Sequence, residues 1–324
     1  MQQIKWGIIG CGDVTEVKSG PAFNKVNDSS LVAVMRRDQE KVKDYAQRHG
    51  VPRWYTDANE LINDPEVNAV YIATPPLQHE QYTEMALAKG KCVYVEKPMT
   101  LNTESALRMK AASERYDTKL TVAHYRRRQP MFLKIKQLID DKRIGDIRFI
   151  NLHMFQSQKN DLIAKSDTNW RLDPAVSGGG LFHDLAPHQL DLMIYYFGEV
   201  NHSAGVALNQ TKTHMADDLV TGHILFATGT VFSGTWCFSV APGLESDQCY
   251  ITGSKGMISF PMFGNKISVT IDGQTKEHIF EALDHVQQPM IESVTRYFLG
   301  KGDNPCSADD AIKSMQLLDS FTAS

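Results

Sequence analysis

The chain has 324 residues, of which 42% are hydrophobic and 22% are charged, and its formal net charge is −4. These proportions are typical of a globular protein, and a length beyond roughly 250–300 residues favours two domains over a single core. A slightly acidic chain offers no broad basic surface for nucleic acid or for an anionic membrane.

The start of the chain predicts neither export nor membrane insertion. The first residues, MQQIKWGIIG, enter an apolar strand pattern at once and leave no room for a signal peptide. No uninterrupted run of about 18 apolar residues follows, and the five cysteines are scattered without a C-x-x-C pair. We therefore expect a soluble, cytoplasmic protein with reduced thiols.

In residues 1–124, short apolar runs alternate with longer amphipathic stretches. The apolar runs, which predict buried strands, cover residues 4–10, 31–35, 68–74, 91–97 and 119–124. The amphipathic stretches, which predict helices, cover residues 38–50, 57–64, 78–90 and 102–117. This alternation is typical of βαβ units, so we predict an α/β fold with a parallel sheet whose carboxyl edge binds a ligand.

The pattern changes after His124. A helical stretch at 131–145 is followed by strands at 146–156, 217–240, 246–263 and 265–280, and helices at 285–300 and 307–324 close the chain. The later strands alternate inward and outward residues and are joined by Gly-containing turns, which indicates a mainly antiparallel sheet. We predict one domain at 1–124 and a second at 125–324.

A glycine-rich turn follows the first strand. It fits the pattern G-x-G-x-x-G except at its last position, where a threonine replaces the third glycine. Glycines at such a turn let the backbone approach a pyrophosphate at a helix N-terminus, which favours nucleotide binding over a merely structural turn. The candidate cofactor-binding residues at this turn are Gly10, Gly12, Asp13, Val14 and Thr15.

The second strand ends in Arg36 and Arg37, where NAD-binding proteins place an acidic residue on the ribose hydroxyl. Guanidinium groups there suit a 2′-phosphate, because their fork of N–H donors matches phosphate oxygens. The pair therefore favours NADP over NAD. An alternative interpretation is two solvated arginines, with Asp38 capping the next helix.

Two further loops end strands at the same edge. Thr74 ends the predicted strand at 68–74, Pro75 and Pro76 follow it, and His79 opens the next helix; these four are also candidate cofactor-binding residues. The prolines stiffen a loop that either forms a wall against a flat ring or is an ordinary strand exit. Glu96 and Lys97, which are also candidate cofactor-binding residues, end the predicted strand at 91–97, and Pro98 follows. The Lys97 ammonium group would then lie at the ligand-binding edge.

Taken together, G-C-G-D-V-T, T-P-P-x-x-H and E-K-P resemble the glucose-fructose oxidoreductase, inositol dehydrogenase and MocA family. The likeness continues through Trp170-Arg171, the glycines at 178–180, Asp184, His188, Asp217-Asp218 and the G-S-K-G turn. It implies a Rossmann domain, a C-terminal α/β domain with an open-faced antiparallel sheet, and a homodimer or homotetramer formed through that sheet. It also implies a nicotinamide cofactor and a sugar, inositol or related polyol.

Asp184 and His188 are four residues apart and would share one helix face, where a carboxylate can orient an imidazole. With the resemblance, this predicts Lys97, Asp184 and His188 as the catalytic residues. His188 is expected to carry the proton, Lys97 to hydrogen-bond the same oxygen, and Asp184 to position Lys97, His188 or a neighbouring hydroxyl. A lysine that only binds the cofactor or acts electrostatically is the alternative for Lys97. Pro187 then requires a helix that starts near Asp184. The alternatives are a first-turn carboxylate with a satisfied buried histidine, or a metal cluster that also uses His183 and Asp191. Four such ligands cannot easily converge from one short helix, so no metal is predicted.

The wall between nicotinamide and substrate is predicted at Tyr125, Arg126, Trp170 and Arg171. Their aromatic faces and guanidinium donors suit sugar hydroxyls, although ordinary interdomain packing is equally compatible. The predicted function is NAD(P)-dependent hydride transfer at a hydroxyl or carbonyl carbon. One alternative is a glycosidase that oxidises, eliminates and reduces again. Another is a non-catalytic regulator that senses the cofactor.

Overall fold

The computed structural model describes residues 2–157 and 170–323, and its first domain contains a six-stranded parallel sheet. The strands are β1 (Ile4–Ile9), β2 (Ser29–Met35), β3 (Arg53–Tyr55), β4 (Ala69–Ile72), β5 (Cys92–Val95) and β6 (Leu120–Val122). The helices are α1 (Asp13–Val17), α2 (Gln39–His49), α3 (Ala58–Asn63), α4 (His79–Ala88) and α5 (Thr103–Arg115). The order β3-β2-β1-β4-β5-β6 is that of a doubly wound Rossmann sheet, which confirms the predicted fold.

The predicted strands omitted β3. This strand has only three residues, lies at the edge of the sheet, and exposes Trp54 to solvent. A short edge strand of this kind has no buried apolar run, so hydrophobic patterning does not detect it.

The helix starts follow from side-chain caps in the sequence. Asp38, Asp57 and Asn102 each accept a hydrogen bond from a backbone amide in the first turn of α2, α3 and α5. Such caps satisfy amide groups that have no partner within the helix. They fix where each helix begins, and so the length of each loop between strand and helix at the sheet edge.

The second domain contains an eight-stranded mixed sheet. Its strands are β7 (Ile147–Phe155), β8 (Val200–Leu208), β9 (Leu219–Phe226), β10 (Val231–Cys237), β11 (Ser246–Gly253), β12 (Gly256–Phe260), β13 (Lys266–Ile271) and β14 (Gln274–Ile279). Its helices are α6 (Pro130–Asp140), α7 (Pro174–Ser177), α8 (Gly180–Phe197), α9 (Gln288–Phe298) and α10 (Ala308–Thr322). Only the β7–β10 pair is parallel among the described strand pairs of this sheet, which confirms the mainly antiparallel prediction. The strand β8, rich in small residues, was not predicted.

One face of this sheet is covered by helices and the other is open. Trp236 on β10 is fully buried between Phe182 of α8 and Phe321 of α10, at ring-centroid distances of 5.1 and 6.1 Å. On the opposite face, Val231 pairs with Phe149 on one side and with Leu225 on the other, and all three are exposed. The expected homodimer or homotetramer through this face stays a prediction.

The last two helices return to the first domain. Phe298 of α9 packs on Trp6 of β1, with ring centroids 5.6 Å apart. Lys119 donates a hydrogen bond of 2.6 Å to the carbonyl of Tyr297. These contacts hold the two sheets in a fixed relation. Within residues 2–157 and 170–323, no helix combines the length and apolar character needed to cross a membrane.

Candidate functional site

Two cavities meet at the carboxyl edge of the parallel sheet. The sheet-edge cleft has a volume of about 670 Å³ and follows the loops after β1, β2 and β4, including the glycine turn, Arg36, Arg37 and residues 74–76. The interdomain cavity has a volume of about 460 Å³ and lies between Tyr125, His188 and the loops after β12 and β14. Both are lined by Val14, Glu96, Lys97, Arg171 and Asp184.

The glycine turn leaves a backbone cradle open to the cleft. Gly10 has φ of +92°, and a Cβ atom there would lie 2.9 Å from the amide nitrogen of Thr74, so a side chain cannot be accommodated. A Cβ atom at Gly12 would meet nothing closer than 3.9 Å, so the space beyond it is free. Gly12, Asp13 and Val14 line this space. The shape fits a dinucleotide pyrophosphate at the first turn of α1.

Thr15 lies behind the turn rather than in the cleft. Its side chain is fully buried and its hydroxyl donates a hydrogen bond of 2.8 Å to the carbonyl of Gly12. Its own carbonyl accepts a hydrogen bond of 2.8 Å from the Tyr45 hydroxyl. We predicted a direct cofactor contact for Thr15, and the structure instead makes it a support for the cradle.

Arg36 and Arg37 both line the cleft, as the prediction of a phosphate site requires. The Arg36 guanidinium donates a hydrogen bond of 3.3 Å to the carbonyl of Cys11 in the glycine turn. Asp38 caps α2 through the amide of Lys41 at 3.1 Å. The structure therefore contains the Asp38 helix cap that the alternative interpretation expected, and both arginines also line the cleft.

The loop at residues 74–76 also lines the cleft, but His79 does not. The His79 ring is fully buried, with Nε2 at 2.8 Å from the Thr74 carbonyl and Nδ1 at 3.1 Å from the Pro98 carbonyl. Burial lowers the pKa of His79 to about 4, so the ring is neutral and donates to one carbonyl at a time. The prediction that His79 binds the cofactor is corrected: it joins the two loops that do line the cleft.

Glu96 anchors the loop that carries Lys97. One carboxylate oxygen accepts hydrogen bonds from the Tyr71 hydroxyl and, at 2.6 Å, from the Gln287 amide. The other accepts a hydrogen bond of 3.2 Å from the Lys97 backbone amide. The Lys97–Pro98 peptide bond is cis. Glu96 thus links strand β5 to the segment before α9, in the other domain.

Lys97 and Asp184 form an ion pair at the point where the cavities meet. The Lys97 ammonium lies 2.8 Å from Asp184 Oδ1 and 2.7 Å from the Asp184 carbonyl oxygen. Arg171 donates a hydrogen bond of 2.9 Å to Asp184 Oδ2. Burial raises the pKa of Asp184, but Lys97 and Arg171 outweigh that effect and hold the pKa at about 2. The carboxylate therefore stays ionised at neutral pH and fixes the lysine.

Two details of α8 differ from the prediction. The helix starts at Gly180, where the Ser177 hydroxyl accepts a hydrogen bond of 2.8 Å from the Gly180 amide, so Pro187 lies inside the helix. Because proline has no amide proton, one helical hydrogen bond is lost there. Asp184 also makes no hydrogen bond to His188 among the described residues, because its oxygens accept hydrogen bonds from Lys97 and Arg171. Of the partners left open for Asp184, the structure places Lys97 on the carboxylate.

His188 lines the interdomain cavity beside aromatic rings. Its ring centroid lies 5.2 Å from that of Tyr125 and 5.9 Å from that of Phe263, both edge-on. Burial, strengthened by the charges of Lys97 and Arg126, lowers the pKa of His188 well below its ordinary value. Its Nδ1 is enclosed without a hydrogen-bond partner in the described part of the chain. The imidazole is therefore neutral at pH 7.

The four predicted substrate-wall residues divide between the cavities. Tyr125 and Arg126 line the interdomain cavity, Trp170 lines the sheet-edge cleft, and Arg171 lines both. The guanidinium of Arg171 lies 4.4 Å from the Trp170 ring centroid. The four residues lie along both cavities, and their predicted place between nicotinamide and substrate stays a prediction.

Sequence reasoning missed several residues of the interdomain cavity. They are Lys18, Phe263, Asn265, Phe280 and Gln287. The last four lie far along the chain in segments that match no motif. Only Phe263 and Phe280, aromatic residues next to turns, could have indicated a binding site from the sequence. No group of three or more His, Cys, Asp or Glu side chains suited to a metal occurs among the described residues.

Residues 4–124 match the family model described as an oxidoreductase family with an NAD-binding Rossmann fold, and residues 132–259 match the GFO/IDH/MocA C-terminal domain. With the cradle and the cleft, these matches define an NAD(P)-binding oxidoreductase. The chain belongs to the GFO/IDH/MocA family, which confirms the resemblance drawn from its motifs.

The chain is also similar to three individual proteins. Oxidoreductase P35 of Formosa agariphila is 48% identical over 319 residues, which are 98% of each chain. Trans-1,2-dihydrobenzene-1,2-diol dehydrogenase of Xenopus laevis is 28% identical over 88% of this chain and 83% of the relative. A structure of levoglucosan dehydrogenase with NADH and levoglucosan has a TM-score of 0.88 at 21% identity, and the match covers 99% of this chain and 96% of that one. This last protein shares the fold.

Proposed function

We propose that the protein is an NADP(H)-preferring dehydrogenase or reductase that acts on one hydroxyl or carbonyl carbon of a sugar, inositol or related polyol. The observation that carries the proposal is the Lys97–Asp184 ion pair in the wall shared by the two cavities. A cofactor in one cavity and a substrate in the other would meet beside this ammonium group.

A nicotinamide dinucleotide supplies the hydride acceptor or donor when bound. Gly10, Gly12 and Val14 would hold its pyrophosphate, and Arg36 and Arg37 would bind a 2′-phosphate.

The charges around that end of the cleft support NADP over NAD. Of the acidic residues that line the cleft, Glu16 and Asp44 are both paired with Arg48, at 2.8 and 2.7 Å, and Asp13 lies in the glycine turn. Neither Glu16 nor Asp44 is an unpaired carboxylate that could hold a ribose hydroxyl. The arginines Arg36 and Arg37 therefore set the charge next to the second strand.

For oxidation, His188 would take the proton of the reacting hydroxyl as its carbon loses a hydride, and the product is a carbonyl compound. A neutral imidazole is the form that accepts this proton. Lys97 would donate a hydrogen bond to the same oxygen, and Asp184 would act as a positioning residue through Lys97. In the reducing direction, His188 would return the proton to the carbonyl oxygen.

A polyhydroxylated ring fits the lining of the interdomain cavity. Arg126, Asn265 and Gln287 carry N–H groups, while Phe263 and Phe280 supply flat apolar walls. Such a mixture suits the hydroxyls and the C–H faces of a sugar. The 28%-identical relative from Xenopus laevis is named for a diol substrate, which also supports a substrate with neighbouring hydroxyl groups.

The test is an assay of sugars, inositols and keto-sugars with NADP and NAD, followed by the absorbance of the reduced nicotinamide. Lys97→Met should lower kcat by about 10²–10³-fold, as expected for loss of one donor to the reacting oxygen. Lys25→Met, a change at an exposed lysine outside both cavities, is the matched control.

A double-mutant comparison separates the roles of the pair. If Asp184 acts only through Lys97, then Asp184→Asn should lower kcat in the wild type but not further in Lys97→Met. Full activity of Lys97→Met would refute the assignment. Turnover of a glycoside without accumulation of reduced cofactor would favour the redox-elimination alternative.

A further inference from the structure

Arg126 is a buried cation in the wall of the interdomain cavity that the proposed hydride chemistry does not use. It follows β6, in the 3-10 turn Tyr125–Arg128, and its side chain keeps only 7% of its accessible surface. Its guanidinium carbon lies 4.5 Å from the ring centroid of Phe263, 5.4 Å from that of Phe132 and 5.6 Å from that of Tyr125. Three aromatic rings therefore hold the group in place.

No acidic side chain among the described residues pairs with Arg126. Its Nε is enclosed without a hydrogen-bond partner. The carboxylate that most influences it is Asp247, whose two oxygens instead accept hydrogen bonds from the amides of Met262 at 2.8 Å and Phe263 at 2.7 Å.

The other acidic residues described in the cavity either have other hydrogen-bond partners or lie exposed at its rim. Asp184 is bound by Lys97 and Arg171, and Glu96 by Tyr71 and Gln287. Glu281 is exposed at the rim. Among the described residues, Arg126 is therefore a fixed positive charge of the cavity that no carboxylate contacts as an ion pair, although Asp247 attracts it electrostatically.

A buried guanidinium without an ion-pair partner destabilises the protein unless a bound anion compensates its charge. Burial lowers the pKa of Arg126, but a guanidinium stays protonated at neutral pH. Aromatic faces compensate only part of the lost hydration, since a cation–π contact is much weaker than the hydration of a free cation. A buried charge that lacks an oppositely charged partner is strongly unfavourable. An anionic group of the substrate would supply that partner.

We propose that the substrate carries a carboxylate bound by Arg126, so that the enzyme acts on a sugar acid such as a hexuronate. This inference rests on the proposed function and specifies its substrate. A carboxylate is favoured over a phosphate because its single charge matches the one unpaired guanidinium, and its two oxygens match the fork of N–H donors. Lys97 is already neutralised by Asp184, and Lys18 is exposed at the cavity's edge.

The geometry also places the carboxylate relative to the reacting carbon. Arg126 and His188 both contact the ring of Phe263, so the guanidinium and the imidazole line the same end of one cavity. One small molecule can therefore present its carboxylate to Arg126 while a ring hydroxyl faces His188 and Lys97.

The test compares acid and neutral sugars of the same stereochemistry. Glucuronate and glucose, galacturonate and galactose, and mannuronate and mannose are assayed with the wild type, Arg126→Met and Arg126→Lys. Arg126→Met should lower kcat/KM for the preferred acid by about 10–100-fold, the equivalent of a charge-assisted hydrogen bond. The neutral sugar, which offers Arg126 only hydroxyl groups and no charge, should lose clearly less. Arg126→Lys should restore part of the loss, and Arg143→Met, on the exposed surface, should have no effect.

Binding of the same sugars to the enzyme–NADPH complex, measured by calorimetry, separates this inference from the hydride chemistry. If the acids bind, Arg126→Met abolishes the binding and no sugar is oxidised, the carboxylate site stands and the proposed reaction fails. If neutral sugars react as well as acids and Arg126→Met affects both equally, the reaction stands and the carboxylate site is overturned. Absence of acid binding, or tighter binding of the matching sugar 6-phosphates, would also overturn it.

Discussion

The sheet-edge cleft and the interdomain cavity are built by different means. The cleft takes its shape from backbone turns, each placed directly after a strand of one parallel sheet: the glycine turn, the arginine pair and the proline loop. The cavity is formed by side chains that lie far apart in sequence, from Lys18 to Gln287, and that come from both domains. Backbone turns follow from local sequence, whereas a wall of distant side chains depends on how the domains pack.

The charged residues of the two cavities also differ in their exposure to solvent. In the cleft, Arg37 is exposed and Arg36 is half-buried, so water screens both. In the cavity, Arg126 and His188 are buried, and burial itself shifts the pKa of each. Substitutions in the cavity should therefore change rates strongly, while substitutions in the cleft should change cofactor affinity by smaller factors.

The largest effect is expected for His188→Gln. Glutamine keeps a polar side chain in the cavity but cannot accept a proton, so kcat should fall by about 10²–10⁴-fold. Because His188 does not line the sheet-edge cleft, the Kd for NADPH should hold. Steady-state kinetics and cofactor titration measure the two quantities. The same change at the exposed His202 serves as the control. A loss confined to cofactor affinity would contradict a proton-carrying role.

The pH dependence of the same residue sharpens this prediction. Oxidation needs the neutral imidazole, and burial holds the pKa of His188 well below its ordinary value of about 6.5. Lowering the pH from 8 to 6.5 should therefore leave kcat for oxidation unchanged as far as this group is concerned, and the loss should begin only at lower pH. An acidic limb centred near 6.5 would show that the bound state restores the ordinary pKa.

A smaller effect is expected in the cleft. Arg36→Asp combined with Arg37→Ala should weaken NADPH binding by about 10–100-fold, because one or two charge-assisted hydrogen bonds to phosphate are lost. NADH, which lacks the 2′-phosphate, should be affected far less. Fluorescence titration with both cofactors gives the ratio of the two Kd values. Equal losses for both cofactors would refute the preference for NADP.

The sequence predicted the sheet-edge cleft better than the interdomain cavity. Five of the six strands of the parallel sheet and the positions of Gly10, Arg36 and Lys97 could be predicted, because each lies in or within a few residues of an apolar run that marks a strand. The partner of Asp184 could be predicted only as one of several. The sequence left Lys97, His188 and a neighbouring hydroxyl open, and the structure brings Lys97 and Arg171 to the carboxylate. Arg126 was proposed as a substrate contact, but only the packed structure shows that no acidic side chain among the described residues pairs with it.

The smallest effect is expected for Thr15→Gly, which restores the third glycine of the turn motif. The change removes the hydrogen bond from the Thr15 hydroxyl to the Gly12 carbonyl and adds backbone freedom to the first turn of α1. Together these should lower the free energy of unfolding by about 1–2 kcal/mol. Urea unfolding measures that loss, and Thr15→Ser, which keeps the hydroxyl, should recover most of it. Because Thr15 lies behind the cradle, the Kd for NADPH should change by less than in the arginine variants. A larger change in Kd would mean that this buried residue controls the shape of the cradle as well as its stability.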